Sequence, residues 1–258
     1  MFQEERLISI IDYLKSNKRI TVDVICELYD VSRDTARRDM VKLEEQGRIV
    51  RTRGGAILPT LSKEVGNYEQ RLQAESSSKL TIGKAAAGLI QDGDYIMMDA
   101  STTVLHAATA LSSKNNVVVT SSIEIAAILT RKDQTTIHIL GGVLDNKHHS
   151  VYGAKAIEML NDYHVDKLLI GTCGITEEGL SAPNEEDSYL VRAMMQHADQ
   201  VIVLADHSKF GKRLFHRVVG FDSIDILVTD QALSPEMKEK LLASEVEIVY
   251  AEGDDLHD

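Results

Sequence analysis

The sequence predicts an α/β protein in two parts, a small tri-helical N-terminal unit closed by a β wing and a larger C-terminal domain built on a mostly parallel sheet. Three observations carry this expectation. Apolar residues recur at helical intervals through the first 46 positions. From residue 79 onward short apolar runs alternate with helical stretches, the order that yields a parallel sheet wrapped by helices. A polar, aperiodic stretch with Ser62, Gly66, Asn67, Ser76, Ser77 and Ser78 lies between them. The expected boundaries are 1–58 for the first domain, 59–78 for a linker and 79–258 for the second domain.

Leu7, Ile10, Ile11 and Leu14 make one apolar stripe, so residues 3–16 form an amphipathic packing helix. Thr21 is placed to cap a second helix ending near Tyr29, with Val24, Ile25 and Leu28 turned inward. Asp30-Val31-Ser32 makes a tight turn. Ser32 then caps a third helix, 33–46, whose first turn holds Asp34 at the positive end of the macrodipole and whose stop is Gly47. Ala36, Met40 and Leu43 form its buried stripe, which leaves Arg33, Arg37 and Arg38 on more exposed faces. The basic, β-branched run from Arg48 to Arg53, closed by Gly54-Gly55-Ala56, reads as the wing.

In the second domain the expected strands are 95–98, 117–119, 137–140, 167–170, 201–204, 226–228 and 247–250, with helices such as 82–90 and 123–129 between neighbours. No internal repeat or low-complexity tract interrupts them.

Bulk properties bound the function. With 258 residues and 43% hydrophobic content the chain can bury one small and one medium core. Two cysteines, Cys26 and Cys173, are too few and too far apart for a disulfide framework, which points to a reducing cytoplasm. The first residues lack the basic-then-apolar order of a signal peptide, and no apolar run reaches the roughly 18 residues of a membrane helix. A cytoplasmic protein without a membrane partner is expected. The net charge of -12 argues against nucleic acid until it is located. Residues 1–60 carry 11 Lys+Arg and 10 Asp+Glu, so the acidity belongs to the remainder and confines any DNA contact to the small N-terminal surface.

Two short helices, a three-residue turn and an arginine-bearing second helix satisfy the major groove, which admits one helix and offers guanine to bidentate arginine. On that helix the candidate contacts are Ser32, Arg33, Thr35, Arg37 and Arg38. From the wing, Arg51 and Arg53 reach the backbone or minor groove. The competing reading is a solvated face whose arginines pair with Asp34, Asp39 and Glu44.

The second domain's polar signatures fall after its strands: Asp99-Ala100-Ser101-Thr102-Thr103, Thr120-Ser121-Ser122, Gly141-Gly142, Gly171-Thr172-Cys173-Gly174, Asp206-His207-Ser208-Lys209 and Thr229-Asp230. In open α/β sheets the carboxyl ends of parallel strands form the ligand crevice, so all six segments are expected to face one cavity. Hydroxyls and free N–H groups at helix starts, together with the Lys209 ammonium, suit a phosphate. Helix capping alone would also place Ser and Thr at these points.

The segments from Val31 to Leu43 and from Gly47 to Ala56, with Arg51-Thr52-Arg53-Gly54-Gly55-Ala56, closely resemble the N-terminal signature of the DeoR family of bacterial sugar-metabolism regulators. The resemblance extends over nearly the whole chain. It implies a winged helix-turn-helix joined to a sensor domain similar in fold to ribose-5-phosphate isomerase, an oligomeric repressor that binds double-stranded operator DNA and is released by a phosphorylated sugar or related metabolite. It also implies that Asp99, Ser101, Thr102 and Thr103 form the phosphate loop, that Thr120, Ser121 and Ser122 match a strand-end Thr-Asn-Ser, and that Asn184 and Glu185 match the family's Asn-Glu. Lys209 falls in its Ser-Lys-Phe-Gly. Ala100, Ser121 and Cys173 depart from the commonest pattern at positions expected to shape the sugar end of the pocket.

Other chemistries lack their residues. His138, His148 and His149 fit a polar loop better than a metal site, and no cofactor or metal is expected. The dinucleotide, P-loop, zincin and nucleophile-elbow motifs are missing. Cys173 reads as a small buried hydrophobe, since no base accompanies it. The rival to sensing is a sugar-phosphate isomerase-like enzyme fused to a DNA reader, with Asp99, Glu185 and Lys209 around one pocket. A metabolic enzyme does not need the DNA reader, which favours sensing. A homodimer or homotetramer is expected from the two-fold symmetry of operators.

Overall fold

The computed structural model describes residues 2–45, 48–52, 54–58, 65–132 and 134–252. The N-terminal unit contains α1 (Gln3–Asn17), β1 (Arg19–Thr21), α2 (Val22–Tyr29), α3 (Arg33–Glu45), β2 (Val50–Thr52) and β3 (Gly55–Ile57). Leu7, Ile10, Ile11, Leu14, Ile20, Ile25, Ala36, Met40, Leu43, Ile49 and Ala56 form its core, so the helical stripes read from the sequence are the packed ones. Leu28, expected inward, is instead 52% exposed. It sits in the last turn of an eight-residue helix, where Ile25 already fills the core-facing position. Thr21 accepts the Val24 N–H, and Ser32 the Thr35 N–H, the two caps that set the starts of α2 and α3. The stop expected at Gly47 lies outside the described residues.

The wing is a three-stranded antiparallel sheet in the order β1-β3-β2. Its first strand comes from before α2, which three residues cannot announce in a sequence. Gly55 is required here, because a β-carbon would run into the Ile20 carbonyl of β1.

The C-terminal domain follows with α4 (Tyr68–Gln73), α5 (Ser76–Ala87), β4 (Tyr95–Met98), α6 (Thr102–Ala110), β5 (Val117–Thr120), α7 (Ile123–Leu129), β6 (Thr136–Ile139), β7 (Val143–Asp145), β8 (Ser150–Tyr152), α8 (Ala154–Leu160), β9 (Val165–Gly171), β10 (Gly174–Thr176), β11 (Gly179–Ala182), α9 (Glu185–Met195), β12 (Ala198–Leu204), β13 (His216–Arg217), β14 (Ile226–Thr229), α10 (Pro235–Ala243) and β15 (Glu247–Tyr250). Seven strands form one sheet in the order β15-β14-β12-β9-β4-β5-β6, every neighbouring pair parallel. These are the seven expected strands.

Both faces of the sheet are covered, which is why its strands read as unbroken apolar runs. Met97, Val119, Leu168, Ile170, Val201, Val203 and Leu227 belong to one core with residues of α8, α9 and α10. Their strand neighbours Ile96, Met98, Val118, Leu169, Ile202, Leu204 and Val228 belong to the other, with residues of α5, α6 and α7. Within the stretch read as a linker, α4 has an Asn67/Gln70 capping box and its Tyr68 is buried in the second core.

Two small additions escape the period-two pattern: the hairpin β7–β8 and the antiparallel sheet β10-β11-β13. They rise beyond the carboxyl ends of the main strands and wall the crevice there.

Candidate functional site

Helix α3 presents its arginines outward. Arg33 lies 2.5 Å from Asp23 and Arg37 lies 3.9 Å from Asp34, all four side chains largely exposed. Arg51 of the wing is 3.7 Å from Glu44. Arg38 is exposed and has no partner among the described residues. Such exposed pairs contribute little, so a phosphate or base can take over the guanidinium at small cost. Thr35 and Ser32 hydroxyls are 3.0 Å apart at the helix start. Arg53 lies outside the described residues.

Asp39, weighed above as a surface partner of these arginines, has another role. It is fully buried and takes bonds from Arg6 Nε at 2.5 Å, Arg6 Nη2 at 3.2 Å and Gln3 Nε2 at 2.9 Å. This pair ties α1 to the inner face of α3 and frees the outer arginines from it.

At the carboxyl ends of β4 and β9 the chain builds the crevice. Asp99 accepts the Ser101 N–H at 3.0 Å and the Gly171 N–H at 3.1 Å, which locks the β4–α6 turn against the end of β9. Gly171 must be glycine, since a β-carbon there would collide with the Ser101 side chain. Ser101 caps α6 by accepting the Val104 N–H at 3.2 Å. The N–H groups of the first α6 turn lack partners within the helix, and the macrodipole favours an anion beside them.

Around that turn stand Thr102, Thr103, Arg71, Thr172, Lys209 and Lys212. Lys209 Nζ is 3.4 Å from Asp206 and 3.3 Å from Ser208 Oγ. Burial would raise the Asp206 carboxyl, but Lys209 and the bonds from Ser208 outweigh it and hold it below its ordinary value. Burial, then Lys209, lowers Lys212. Lys79, on α5 behind this end, is buried and donates to the carbonyls of Arg71 and Ala74. Desolvation, then the nearby Lys209, brings it down to about 8. Arg71 is the hinge of the site: Nη2 is 3.4 Å from His148 Nδ1, its guanidinium lies over the Tyr68 ring, and its buried Nε has no hydrogen-bond partner.

The crevice continues into a second compartment lined by Asp99, Ala100, Ser121, His148, Ser150, Cys173, Ser181 and Asp187, with Leu180, Leu190, Val191, Met194 and Val218 as one apolar wall. Burial pushes Asp99 up to about 6 and raises Asp187, and it lowers His148, as does Arg71. The Cys173 thiol is also pushed up by burial, which keeps it neutral and unsuited to nucleophilic attack.

The structure therefore brings together Asp99, Ser101, Thr102, Thr103, Ser121, Gly171, Cys173 and Lys209, and with them all three positions that depart from the family pattern, Ala100, Ser121 and Cys173. Other expected residues stand apart. Thr120 is buried and bonds to the Met98 carbonyl, while Ser122 caps α7. Gly141 and Gly142 line a separate depression beside Tyr152 and Met159, because β6 is the sheet edge and the chain leaves it through the β7–β8 hairpin. That hairpin returns His148 and Ser150 to the crevice in their place. Gly174 opens β10 outside the lining, and Asp230 after β14 is engaged by His207 at 2.7 Å. Asn184 caps α9 and Glu185 is exposed, whereas Asp187, one turn along, faces the crevice.

The sequence reading missed Arg71, His148, Asp187, Lys212 and Lys79. The Asn67–Gln70 capping box was a readable sign of the helix that carries Arg71; the others follow only from the folded loops. The histidines once weighed for metal separate: His148 faces Arg71, His149 pairs with Glu124 and stacks on Tyr68, and His138 packs against Tyr163.

Comparison with known sequences decides the family. A DeoR-like helix-turn-helix domain matches residues 6–61 and a DeoR C-terminal sensor domain matches residues 74–231. The chain belongs to the DeoR family. It is 48% identical over 255 residues to the HTH-type transcriptional repressor GlcR of Bacillus subtilis (strain 168), covering 99% of both chains. It is 31% identical over 249 residues to a putative aga operon transcriptional repressor of Escherichia coli O157:H7, covering 95% of this chain and 93% of that one. Ribose 5-phosphate isomerase A from Neisseria gonorrhoeae is a distant structural neighbour, with 16% identity over 53% of this chain and 54% of that one and a TM-score of 0.39. As a DeoR-family protein the chain is a DNA-binding transcriptional regulator and not an enzyme. No helix among the described residues is long and apolar enough to cross a membrane.

Proposed function

We propose that this DeoR-family regulator represses a sugar-catabolic operon and that a phosphorylated sugar or related metabolite, bound at the carboxyl ends of β4 and β9, changes its affinity for the operator. One observation carries the effector half: Arg71, Lys209 and Lys212 converge on the open start of α6, and the Arg71 Nε is buried without a partner. Three cations and a set of free N–H groups around one small space suit a phosphate. The DNA half rests on Arg33, Arg37, Arg38 and Arg51, displayed on α3 and the wing, with Arg53 assigned from sequence. The working unit is a homodimer or homotetramer on a two-fold symmetric site.

Coupling has a physical route. The loop after β12 alternates between two environments: Lys209, Lys212 and Leu214 line the anion end, while His207, Phe210, Gly211 and Arg213 line a groove shared with Ile11, Lys15, Arg48 and Leu58 of the N-terminal unit. An anion that draws Lys209 and Lys212 inward repositions the groove side of the same nine residues. A ligand shifts the equilibrium only by its differential affinity for the two arrangements. The test is a thermal-shift screen of sugar phosphates against the wild type and Arg71→Ala, since a ligand bound only by the native state raises its melting temperature. At least one sugar phosphate is expected to stabilise the wild type and to lose that effect in Arg71→Ala. Absence of any phosphate-dependent stabilisation would refute the effector assignment.

A further inference from the structure

We infer that the effector carries a single phosphate and ends, at its other side, in uncharged hydroxyl or in amino groups, so that sugar bisphosphates are excluded. The inference rests on the crevice being the effector site. It follows from the unequal charge of the two compartments, which meet at Arg71, Ser101, Gly171, Thr172 and Cys173.

The compartment at the start of α6 holds Lys209 and Lys212 with Lys79 behind them. Among the described residues the other has no lysine in its lining, and the arginine there is the shared Arg71. Its other ionisable groups are Asp99, Asp187 and His148, with the neutral Cys173 thiol beside them. Asp99 is fixed by two backbone N–H groups, so it cannot swing away from a ligand. Asp187 is held by Asn184 Nδ2 at 3.0 Å and by its own N–H to Asn184 Oδ1 at 2.8 Å. A third carboxylate, Asp145 at the end of β7, accepts the His148 N–H at 3.2 Å. Burial lowers His148, so it gives this end no full positive charge at neutral pH.

A second phosphate placed there would face two fixed carboxylates in a poorly solvated space, where like charges repel far more than in water. Hydroxyls meet the opposite situation: the Asp99 and Asp187 carboxylates accept from them, and the Ser121 and Ser150 hydroxyls stand in the same lining. The apolar wall from Leu180 to Val218 matches the carbon face of a sugar.

The experiment is isothermal titration of the full chain with inorganic phosphate and with matched pairs: glucose 6-phosphate against glucose 1,6-bisphosphate, fructose 6-phosphate against fructose 1,6-bisphosphate, and ribose 5-phosphate against ribulose 1,5-bisphosphate. At least one monophosphate is expected to bind at least tenfold more tightly than inorganic phosphate, and every bisphosphate at least tenfold more weakly than that monophosphate. In Asp187→Asn, checked for an unchanged melting temperature, the gap is expected to narrow by about tenfold; Asp187→Ser repeats the test should the amide disturb the Asn184 cap. A bisphosphate that binds as tightly as the best monophosphate, or a gap unmoved in both variants, overturns the inference while leaving the effector site standing. Binding of inorganic phosphate alone overturns it likewise. No binding by any of these compounds overturns the effector-site reading itself.

Discussion

Arg71 joins the two ends of the crevice, and its loss is expected to be felt at both. A charge-assisted hydrogen bond contributes about 1.5–3 kcal/mol, so Arg71→Ala should weaken sugar-phosphate binding by roughly tenfold or more while leaving operator affinity in the absence of ligand unchanged. Lys79 acts through Arg71 by holding its carbonyl. Lys79→Met removes the ammonium that donates to the Arg71 and Ala74 carbonyls and is expected to destabilise the fold by about 1–3 kcal/mol, read by chemical denaturation. Asp99 gives a pH signature. Burial raises its carboxyl to about 6, so its contribution to stability is complete below the ordinary carboxylate range and is lost as pH rises through 6. Denaturation of the wild type between pH 4 and pH 7 should therefore show a loss of up to about 3 kcal/mol that Asp99→Asn does not show. At this scale the sequence was informative where a side chain follows a strand directly, as with Asp99, Ser101 and Cys173. It was silent where a loop folds back, because nothing local tells that His148 or Asp187 returns to a crevice formed by β4 and β9.

Helix α3 is the element on which the proposed DNA reading depends, and its two faces have separate tests. On the outer face, Arg38→Ala and Arg37→Ala are expected to weaken operator binding, by about 1–3 kcal/mol for a base-reading arginine or with a salt slope lower by about one for a phosphate contact. Fluorescence anisotropy across a salt series separates the two. On the inner face, Asp39→Ala removes the carboxylate bonded to the buried Arg6 guanidinium and is expected to cost about 1.5–3 kcal/mol of stability in the N-terminal unit, measured by denaturation. Elements with a sustained period were the legible ones: α1, α3 and all seven strands of the main sheet announce themselves by apolar spacing and double burial. Three-residue strands such as β1, β7 and β10 carry too few positions for any period, so the hairpin and the small antiparallel sheet appear only in the folded chain. Helix α4 hid in a polar stretch because only Tyr68 and Leu72 of its face are apolar.

Across the whole molecule the charge is divided as the function requires. The acidic C-terminal domain repels a duplex, which favours approach through α3 and the wing, and it sets Arg71, Lys209 and Lys212 inside the crevice. The loop from Asp206 to Leu214 touches both the crevice and the groove beside the N-terminal unit, so one small movement there is available to both. The two-part architecture and the crevice's position were legible from strand order and composition; the groove between the parts was not, since no residue pattern reports how two domains lie together. The most direct measurement is operator affinity by anisotropy, using duplexes from the gene's own neighbourhood, with and without the sugar monophosphate that stabilises the protein most. The account predicts tight, sequence-dependent binding that the ligand changes at least fivefold in the wild type and leaves unchanged in Arg71→Ala. Equal affinity for every duplex, or a ligand that binds the crevice and leaves operator affinity untouched, would contradict it.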